Sequence, residues 1–495
     1  MISILNQFSN RNKLSIFFPL CLIFAFFLST CSSTSSSQTA TTQQSQIPTS
    51  LTPQGLLSHS GRWIIDQYGR VLLFHGTNEV VKSPPYEPAA TGFNAADAEF
   101  LAKNGFRIVR LGVLATGLMP TPGNIDENYI NSIASTVEVL KNAGIYTLID
   151  FHQDGYGPSI GSDGFPTWLT DTNGAINNGV GFPLYYISNP AIQNAFQSFW
   201  DNAVVNGKPI QTYYDDMFKS LAKKFARSTS IIGYDLFNEP WPGLTWQNCL
   251  NDPNGCKTLD QKELNVAYTG AVKAIRSQGD NHIIFGEPFV LFNFGTSTTS
   301  ISLPGNDPNS GMSFHMYTLS ASDNPNVINN AIAWSKQTNG ALLNTEWGAT
   351  TNSSEIQSQS ELFNSAMVPW IFWSLGEMIK NVSLAPSTSN LTSSTLSSLV
   401  QPYPLAVAGT PISDTYNFSS STLTFTYSTL GVNNKPFPDG SVTSFAVPSY
   451  SYPTGYSVSV IGGKLSSGCG NTIGIVANKG QSKVSVTVGP GKECT

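Results

Sequence analysis

The feature that most constrains this chain is a rhythm. Eight short apolar runs, nearly all ending in polar residues, recur between residues 75 and 374, most of them separated by a stretch of helical periodicity. A hairpin of Arg62–Ile65 and Arg70–Phe74 around Asp66-Gln-Tyr-Gly69 feeds strand one, which is expected to end at His75-Gly-Thr-Asn78. Strand two is Arg107–Val113, strand three Tyr146–Asp154, and strand four begins at Ile231 and ends in Asn238-Glu239-Pro240. Strands five to eight are His282–Glu287, Met312–Tyr317, Ala341–Glu346 and Pro369–Ser374. Continuous apolar runs of this length read as strands buried on both faces of a parallel sheet. Between them, Asn94 caps a helix over Ala95–Asn104 that Gly105 stops. Ile130, Ile133, Val137 and Leu140 give a longer helix after Asp126, ending at Gly144. Further helical stretches lie near 190–205, 210–226, 260–278, 325–338 and 355–367. The pattern predicts a (β/α)8 TIM barrel of the α/β class. A doubly wound open sheet is the competitor, but no Gly-rich phosphate loop follows strand one.

Polar residues at the C-terminal tips of such strands stand where barrel enzymes keep their chemistry. Glu239 ends strand four and Glu346 ends strand seven. Either acid alone reads as a residue after a strand. As a pair they supply what glycoside cleavage needs, one to protonate the leaving oxygen and one to attack or to activate water. Glu239 is expected to be the acid/base, with Asn238 beside it for a sugar hydroxyl. Glu346 is expected to be the nucleophile, kept ionised by Arg110 on strand two and receiving a bond from Tyr317 on strand six. His152 and His315 fall at strand tips, and His75 is placed with them. Asp154 points to the same side as His152, and Trp373 is set to stack under a sugar ring, whereas Trp370 reads as barrel filling. Gly157-Pro-Ser-Ile-Gly161 matches a serine nucleophile elbow, but Ser162-Asp-Gly-Phe-Pro166 follows instead of a helix. No metal or other cofactor is expected.

Beyond Leu384 the composition turns to Ser and Thr, then to alternating runs such as Ser421–Tyr427 and Ser482–Val488. Period-two alternation predicts a C-terminal antiparallel β-sandwich, one that props the barrel more often than it binds sugar. The expected division is 1–31 signal, 32–54 tether, 55–384 barrel and 385–495 sandwich. Arg11 and Lys13 precede an apolar run from Leu14 to Leu28, and Leu28-Ser-Thr-Cys31 resembles a bacterial lipobox with Cys31 as the lipidated residue. Residues 32–50, rich in Ser, Thr and Gln, read as a flexible tether. The chain is expected to be secreted across the inner membrane and held at the cell envelope by a lipid anchor; a plain secretory signal or a single membrane anchor is the alternative. Cys249 with Cys256, and Cys469 with Cys494, are close enough for two local disulfides in an oxidising compartment. A zinc site is the rival, but neither CxxC nor HExxH occurs. A net charge of -6 with no basic run after residue 13 argues against a nucleic-acid partner. A monomer acting on a glycolipid or oligosaccharide is expected.

Six segments carry a resemblance. They are His75–Tyr86 (HGTNEVVKSPPY), Asp150-Phe-His-Gln-Asp154, Asp235–Pro240, His315-Met-Tyr317, Glu346-Trp-Gly348 and Gln401–Thr410. Through them the chain resembles the family 5 retaining glycosidases, and within these the bacterial endoglycoceramidases, over roughly residues 55 to 495. The resemblance implies cleavage between oligosaccharide and ceramide with retention, Glu239 as acid/base and Glu346 as nucleophile. It adds Lys82, His152, Asp154, Asn238, Tyr317 and Trp373 as sugar contacts. Thr345-Glu-Trp-Gly348 departs from the Gly-Glu-Phe-Gly often seen in the family, and the Gln247–Lys257 loop with its two cysteines looks private to this chain. A polysaccharide or simple β-glucoside hydrolase of the same fold, and a non-catalytic glycan-binding lipoprotein, are the alternatives. The apolar run Phe289–Phe294 after strand five, with Met378-Ile379 after strand eight, is expected to touch the lipid.

Overall fold

A computed structural model describes residues 55–251, 255–295 and 298–494. The signal, Cys31 and the tether lie outside the described residues. Eight parallel strands close on themselves: β1 (His75–Glu79), β2 (Ile108–Leu114), β3 (Tyr146–His152), β4 (Ile231–Asp235), β5 (Ile283–Gly286), β6 (Ser310–Met316), β7 (Ala341–Trp347) and β8 (Trp370–Phe372). Every strand pairs with its sequence neighbours, and β8 pairs with β1 to complete the ring. Each strand is buried along its whole length, as the continuous apolar runs require. The intervening helices include Ala95–Lys103, Glu127–Asn142, Ile210–Phe225, Asn265–Arg276, Asn324–Thr338 and Ser353–Ala366. Asp126 caps the second through the backbone N–H groups of Asn128 and Tyr129. Its Ile130, Ile133, Val137 and Leu140 are buried as the 3.6-residue period demands. Strands β4 and β5 approach so closely at Gly233 that a Cβ there would sit 1.7 Å from the carbonyl oxygen of Ile283.

Beside the barrel stand two antiparallel sheets, one of seven strands and one of four. Alternate side chains of both, among them Leu423, Phe425, Tyr427, Phe445, Ile473, Ile475, Val484 and Val486, meet in one apolar core, the arrangement of a sandwich. Both expected disulfides, Cys249–Cys256 and Cys469–Cys494, are formed.

Two stretches depart from the expected division at residues 55 and 384. Strands Ser58–Ser60, Trp63–Ile65 and Val71–Leu72 extend the seven-stranded sheet, Val71–Leu72 pairing antiparallel with Tyr403–Val407. The N-terminal hairpin thus belongs to the sandwich, because its edge is satisfied by a strand more than 300 residues away. Conversely, the Ser/Thr-rich stretch after residue 384 contains the helix Ser393–Leu399, whose Leu396, Leu399 and following Val400 join the apolar shell around the barrel. After the barrel the sandwich strands resume only at Tyr403.

The sandwich covers the N-terminal end of the barrel. Leu57, Ile64, Leu72, Tyr403, Leu405 and Ala446 share a core with the barrel residues Ile108, Leu148, Ile232, Ile283, Leu343 and Ile371. His75 is part of this junction and not of the opposite face where it was expected. It opens β1 and does not end it, so its ring lies between Trp370, at 4.1 Å, and Tyr403, at 3.7 Å. Burial there pushes its pKa well below the ordinary value.

Candidate active site

At the C-terminal end of the barrel the two acids meet. An oxygen of Glu239 and an oxygen of Glu346 lie within 4.8 Å of each other, with a ring nitrogen of His315 within the same distance of both. This is the close spacing of carboxyls that cleave with retention, roughly 5–5.5 Å, and not the roughly 6.5–9.5 Å that accommodates a water in inverting enzymes.

The backbone places Glu239 with effort. Its φ is +43°, a left-handed conformation uncommon outside glycine, immediately before Pro240. The turn is held on both sides. Asn238 N donates to Phe151 O (3.0 Å), Glu239 N donates to Glu287 Oε2 (2.9 Å), and Gln153 Nε2 donates to Asn238 O (2.7 Å). Glu239 Oε1 lies 2.9 Å from His315 Nδ1 and accepts from Asn293 Nδ2 at 3.4 Å. Glu346 is followed by Gly348 at φ +93°, where a Cβ would meet the Phe372 ring at 2.3 Å.

Arg110 organises the floor of the site. Its guanidinium is wholly buried, with Nη1 donating to Glu346 Oε2 (3.2 Å), Nε to Asp235 Oδ2 (2.9 Å), and Nη2 to Glu287 Oε1 (3.1 Å) and Asn238 Oδ1 (2.9 Å). Asp150 Oδ1 lies 2.8 Å from Nη2. A planar cation with five donors is the side chain that can serve so many acceptors at once. Tyr317 Oη donates to the other Glu346 oxygen, Oε1, at 2.9 Å. Both contacts expected of Glu346 are therefore present. Its charge balance differs from the expectation: burial pushes the Glu346 carboxyl above its ordinary value, Glu239 adds to this, and His315 and Arg110 pull against them.

The remaining expected residues form a second group beside the acids. His152 Nδ1 lies 2.7 Å from Asp150 Oδ2 and its Nε2 lies 3.5 Å from Asp154 Oδ2. Burial lowers the His152 pKa, but the Asp150 and Asp154 carboxylates outweigh it and push it up to about 9. Lys82 pairs with Asp154 and holds its Nζ 4.6 Å from the centre of the Trp373 ring, which stacks on His152 at 5.7 Å. Burial raises the Asp154 carboxyl, yet Lys82 and His152 hold it well below the usual carboxylate range. Asn238 is almost fully buried and braces Arg110 and β3, its Nδ2 donating to Gln153 O at 2.9 Å. His152, Asp154 and Asp163 form one grouping of ligand-type atoms and Glu239, His315 and Glu346 another. Lys82 faces the first and Arg110 the second, cations of the chain standing where a metal would compete.

Glu287, Asp163, Asn293 and two of the partners of Arg110, Asp150 and Asp235, were not among the expected site residues. Glu287 follows β5 as Glu239 follows β4, so the same tip rule reaches it. Asp150 and Asp235 stand in otherwise apolar strands, which is itself a signal that a buried cation faces them. Asp163 sits in the loop after β3, bridged to Asp154, where burial and Asp154 push its carboxyl up to about 6.

One expectation is overturned. Phe289, Val290, Leu291 and Phe292 are buried, Phe289 against Trp200 and Phe292 against Phe314, and Met378 and Ile379 are wholly covered. Of the expected run only Phe294 keeps part of its surface; the rest is packed in protein, because the loop folds inward under its neighbours.

The sequence profile described as cellulase (glycosyl hydrolase family 5) matches residues 78–378, and that of the glycoside hydrolase family 5 C-terminal domain matches residues 401–488. Endoglycoceramidase I of Rhodococcus hoagii is 27% identical over 462 residues, 88% of this chain and 89% of that one. The endoglycoceramidase of Hydra vulgaris is 29% identical over 430 residues, 79% and 80% of the two chains. Among solved structures, endo-glycoceramidase II from Rhodococcus sp. as its lactosyl-enzyme intermediate superposes with a TM-score of 0.71 at 22% identity, covering 87% of this chain and 99% of that one.

Proposed function

Since the chain belongs to glycosyl hydrolase family 5 and is an O-glycoside hydrolase, we propose that it cleaves the bond between glycan and ceramide in glycosphingolipids by double displacement. The observation that carries the mechanism is the close approach of the Glu239 and Glu346 carboxyls in unlike surroundings. Glu346, between Arg110 and Tyr317, is the nucleophile. Both partners stabilise the carboxylate and orient it. Glu239, hydrogen-bonded only through Oε1 among the described residues, keeps Oε2 for the glycosidic oxygen and is the acid/base. Lys82, His152, Asp154 and Trp373 line a polar and aromatic wall suited to sugar hydroxyls and a ring face. Two relatives named endoglycoceramidase, matched over most of their length, support the lipid aglycone.

Exposed apolar side chains on loops leaving the C-terminal ends of strands fit that aglycone better than the buried run after β5. Ile176, Leu184 and Ile187 follow β3, Leu244 follows β4 and Leu319 follows β6. Each methylene removed from water contributes about 0.8 kcal/mol, and binding remote from the scissile bond can raise the rate at the reacting centre. Catalytic efficiency on β-glycosides of one sugar is expected to climb with alkyl length and to be highest with ceramide. A flat series, or cello-oligosaccharides cleaved faster than any glycolipid, would leave the polysaccharide reading in its place.

We further propose a lipid anchor at Cys31, on the strength of the Leu28-Ser-Thr-Cys31 motif and the tether after it. Among the described residues no helix is long and apolar enough to cross a membrane. Cell fractionation should find the chain with membranes and the Cys31→Ser variant released from them. Wild type and variant both soluble would remove the anchor.

A further inference from the structure

Glu287 meets Glu239 at its backbone N–H and is linked to the carboxyls of Glu239 and Glu346 through His315 and Arg110. Its Oε2 accepts the backbone N–H of Glu239 (2.9 Å), its Oε1 lies 2.9 Å from His315 Nε2, and the same oxygen accepts from Arg110 Nη2 at 3.1 Å. The far nitrogen of that imidazole, Nδ1, faces Glu239 Oε1 at 2.9 Å. Glu239, His315 and Glu287 thus form a chain of three proton-binding groups, the last of them fully buried. The charged and titratable groups around Glu287 are Arg110 from β2, Asp235 from β4, Glu239 from the turn after β4 and His315 from β6. Tyr268 donates to its backbone carbonyl at 2.7 Å. Glu346 lies beyond, on the other side of Arg110 and His315.

We propose that Glu287 is a positioning residue that stores the proton by which His315 answers the ionisation of Glu239. The proposal rests on Glu239 being the acid/base. Before reaction Glu239 is protonated on Oε2, His315 is neutral with its proton on Nδ1, and Glu287 carries a proton on Oε1 directed at Nε2. When Glu239 gives its proton to the leaving oxygen, the Glu287 proton crosses to Nε2. His315 becomes an imidazolium 2.9 Å from the new Glu239 carboxylate, and Glu287 becomes the buried carboxylate facing Arg110. When Glu239 takes a proton from water in the second step, the transfer reverses. No proton is gained or lost in the shift, and no further reactant is needed. Burial, with Asp235 nearby, raises the Glu287 carboxyl to about 8 against the pulls of His315 and Arg110, while burial lowers the His315 imidazole and the carboxylates of Glu287, Glu346 and Glu239 outweigh it and hold it well above its ordinary value; the two groups, 2.9 Å apart, hold one proton between them, whose place is set by the charge on Glu239.

The test is Glu287→Gln, which keeps an oxygen for the Glu239 amide and has no proton to pass. Loss of an imidazolium partner moves a carboxyl by one to three units, so the alkaline limb of kcat/KM is expected to move up by about one unit or more. Turnover of an alkyl β-glycoside should fall on the order of tenfold to a hundredfold, and that of a dinitrophenyl glycoside, whose departure needs no proton, should fall less in the glycosylation step. A purely structural Glu287 would leave the limb in place, and that result overturns the proposal. Should the variant fail to fold, the wild type serves. The chain has five histidines, so the nitrogen-15 signals of His315 can be assigned. They should change from neutral to imidazolium when the glycosyl-enzyme is trapped with a fluorosugar; one protonation state throughout overturns the proposal. Wild-type enzyme inactive on every aryl β-glycoside would remove the parent reading and this one with it, whereas an active wild type with an unmoved limb removes this one alone.

Discussion

Glu346→Gln is expected to abolish turnover, by on the order of 10^5-fold in kcat, while leaving the fold intact. The amide keeps the shape of the side chain and can still receive the Tyr317 hydroxyl, but it cannot form the covalent bond to the sugar. Glu239→Ala should behave differently. It removes the proton donor but not the nucleophile, so an activated aryl glycoside still forms the covalent intermediate, which azide then resolves at a restored rate. Following the product anomer by NMR in the wild type should show β product first. Early α product, or azide rescue in the Glu346 variant with the same anomer as in the Glu239 variant, would exchange or dissolve the assigned roles.

The second large effect concerns Arg110. Replacing it with Met leaves Asp235, Glu287 and Glu346 without the cation they share, in a site where the guanidinium is wholly buried. Breaking a buried charge network by removing one partner costs about 3–5 kcal/mol, a large part of the stability of most domains. Urea unfolding should register a deficit of that order. Its pH dependence has a definite sign. Arg110 pulls the Asp235, Glu287 and Glu346 carboxyls down, so without it their folded-state pKa values rise further above the unfolded ones. Stability lost in this way is smallest where the acids are protonated in both states and grows as pH rises. The deficit should therefore be narrower at about pH 5 than at about pH 7. A deficit below about 1 kcal/mol, or one that widens in acid, would show that Arg110 is not the keystone of the floor.

The barrel was legible because strands buried on both faces have little freedom of composition. Ile108–Leu114, Ala341–Trp347 and the others announced themselves within a residue or two of their observed ends, save β4, which ends at Asp235 and leaves the expected Asn238-Glu239-Pro240 in the turn after it. The same strictness made the site legible. A polar residue at the end of such a run has nowhere to point but the open face, which is why the bond from Tyr317 to Glu346 could be expected; Arg110, expected at the tip of its strand, reaches Glu346 instead from within β2, as its third residue. The misses share a different cause, since each depended on a partner remote in sequence. Nothing local in Ser58–Leu72 says that its edge will be met by Tyr403–Val407. Nothing in Phe289–Phe294 says whether a loop turns its apolar side chains toward Trp200 or toward solvent. His75 was misplaced because the local pattern did not distinguish the first residue of β1 from its last. Glu287 obeyed the tip rule and went unread, since a third carboxylate had no place in a two-acid mechanism.

The sheet that joins Ser58–Leu72 to Tyr403–Val407 has a consequence for how the molecule is made. The first described strands of the chain and the strands that close its base are separated by the whole barrel, so the barrel's lower opening stays uncovered until synthesis is nearly complete. Contacts of such long range are made late. The nascent polypeptide therefore carries an unfinished core through most of translation, and its two ends must both be free to meet. A fragment that held only the barrel or only the sandwich would be left with an exposed apolar floor.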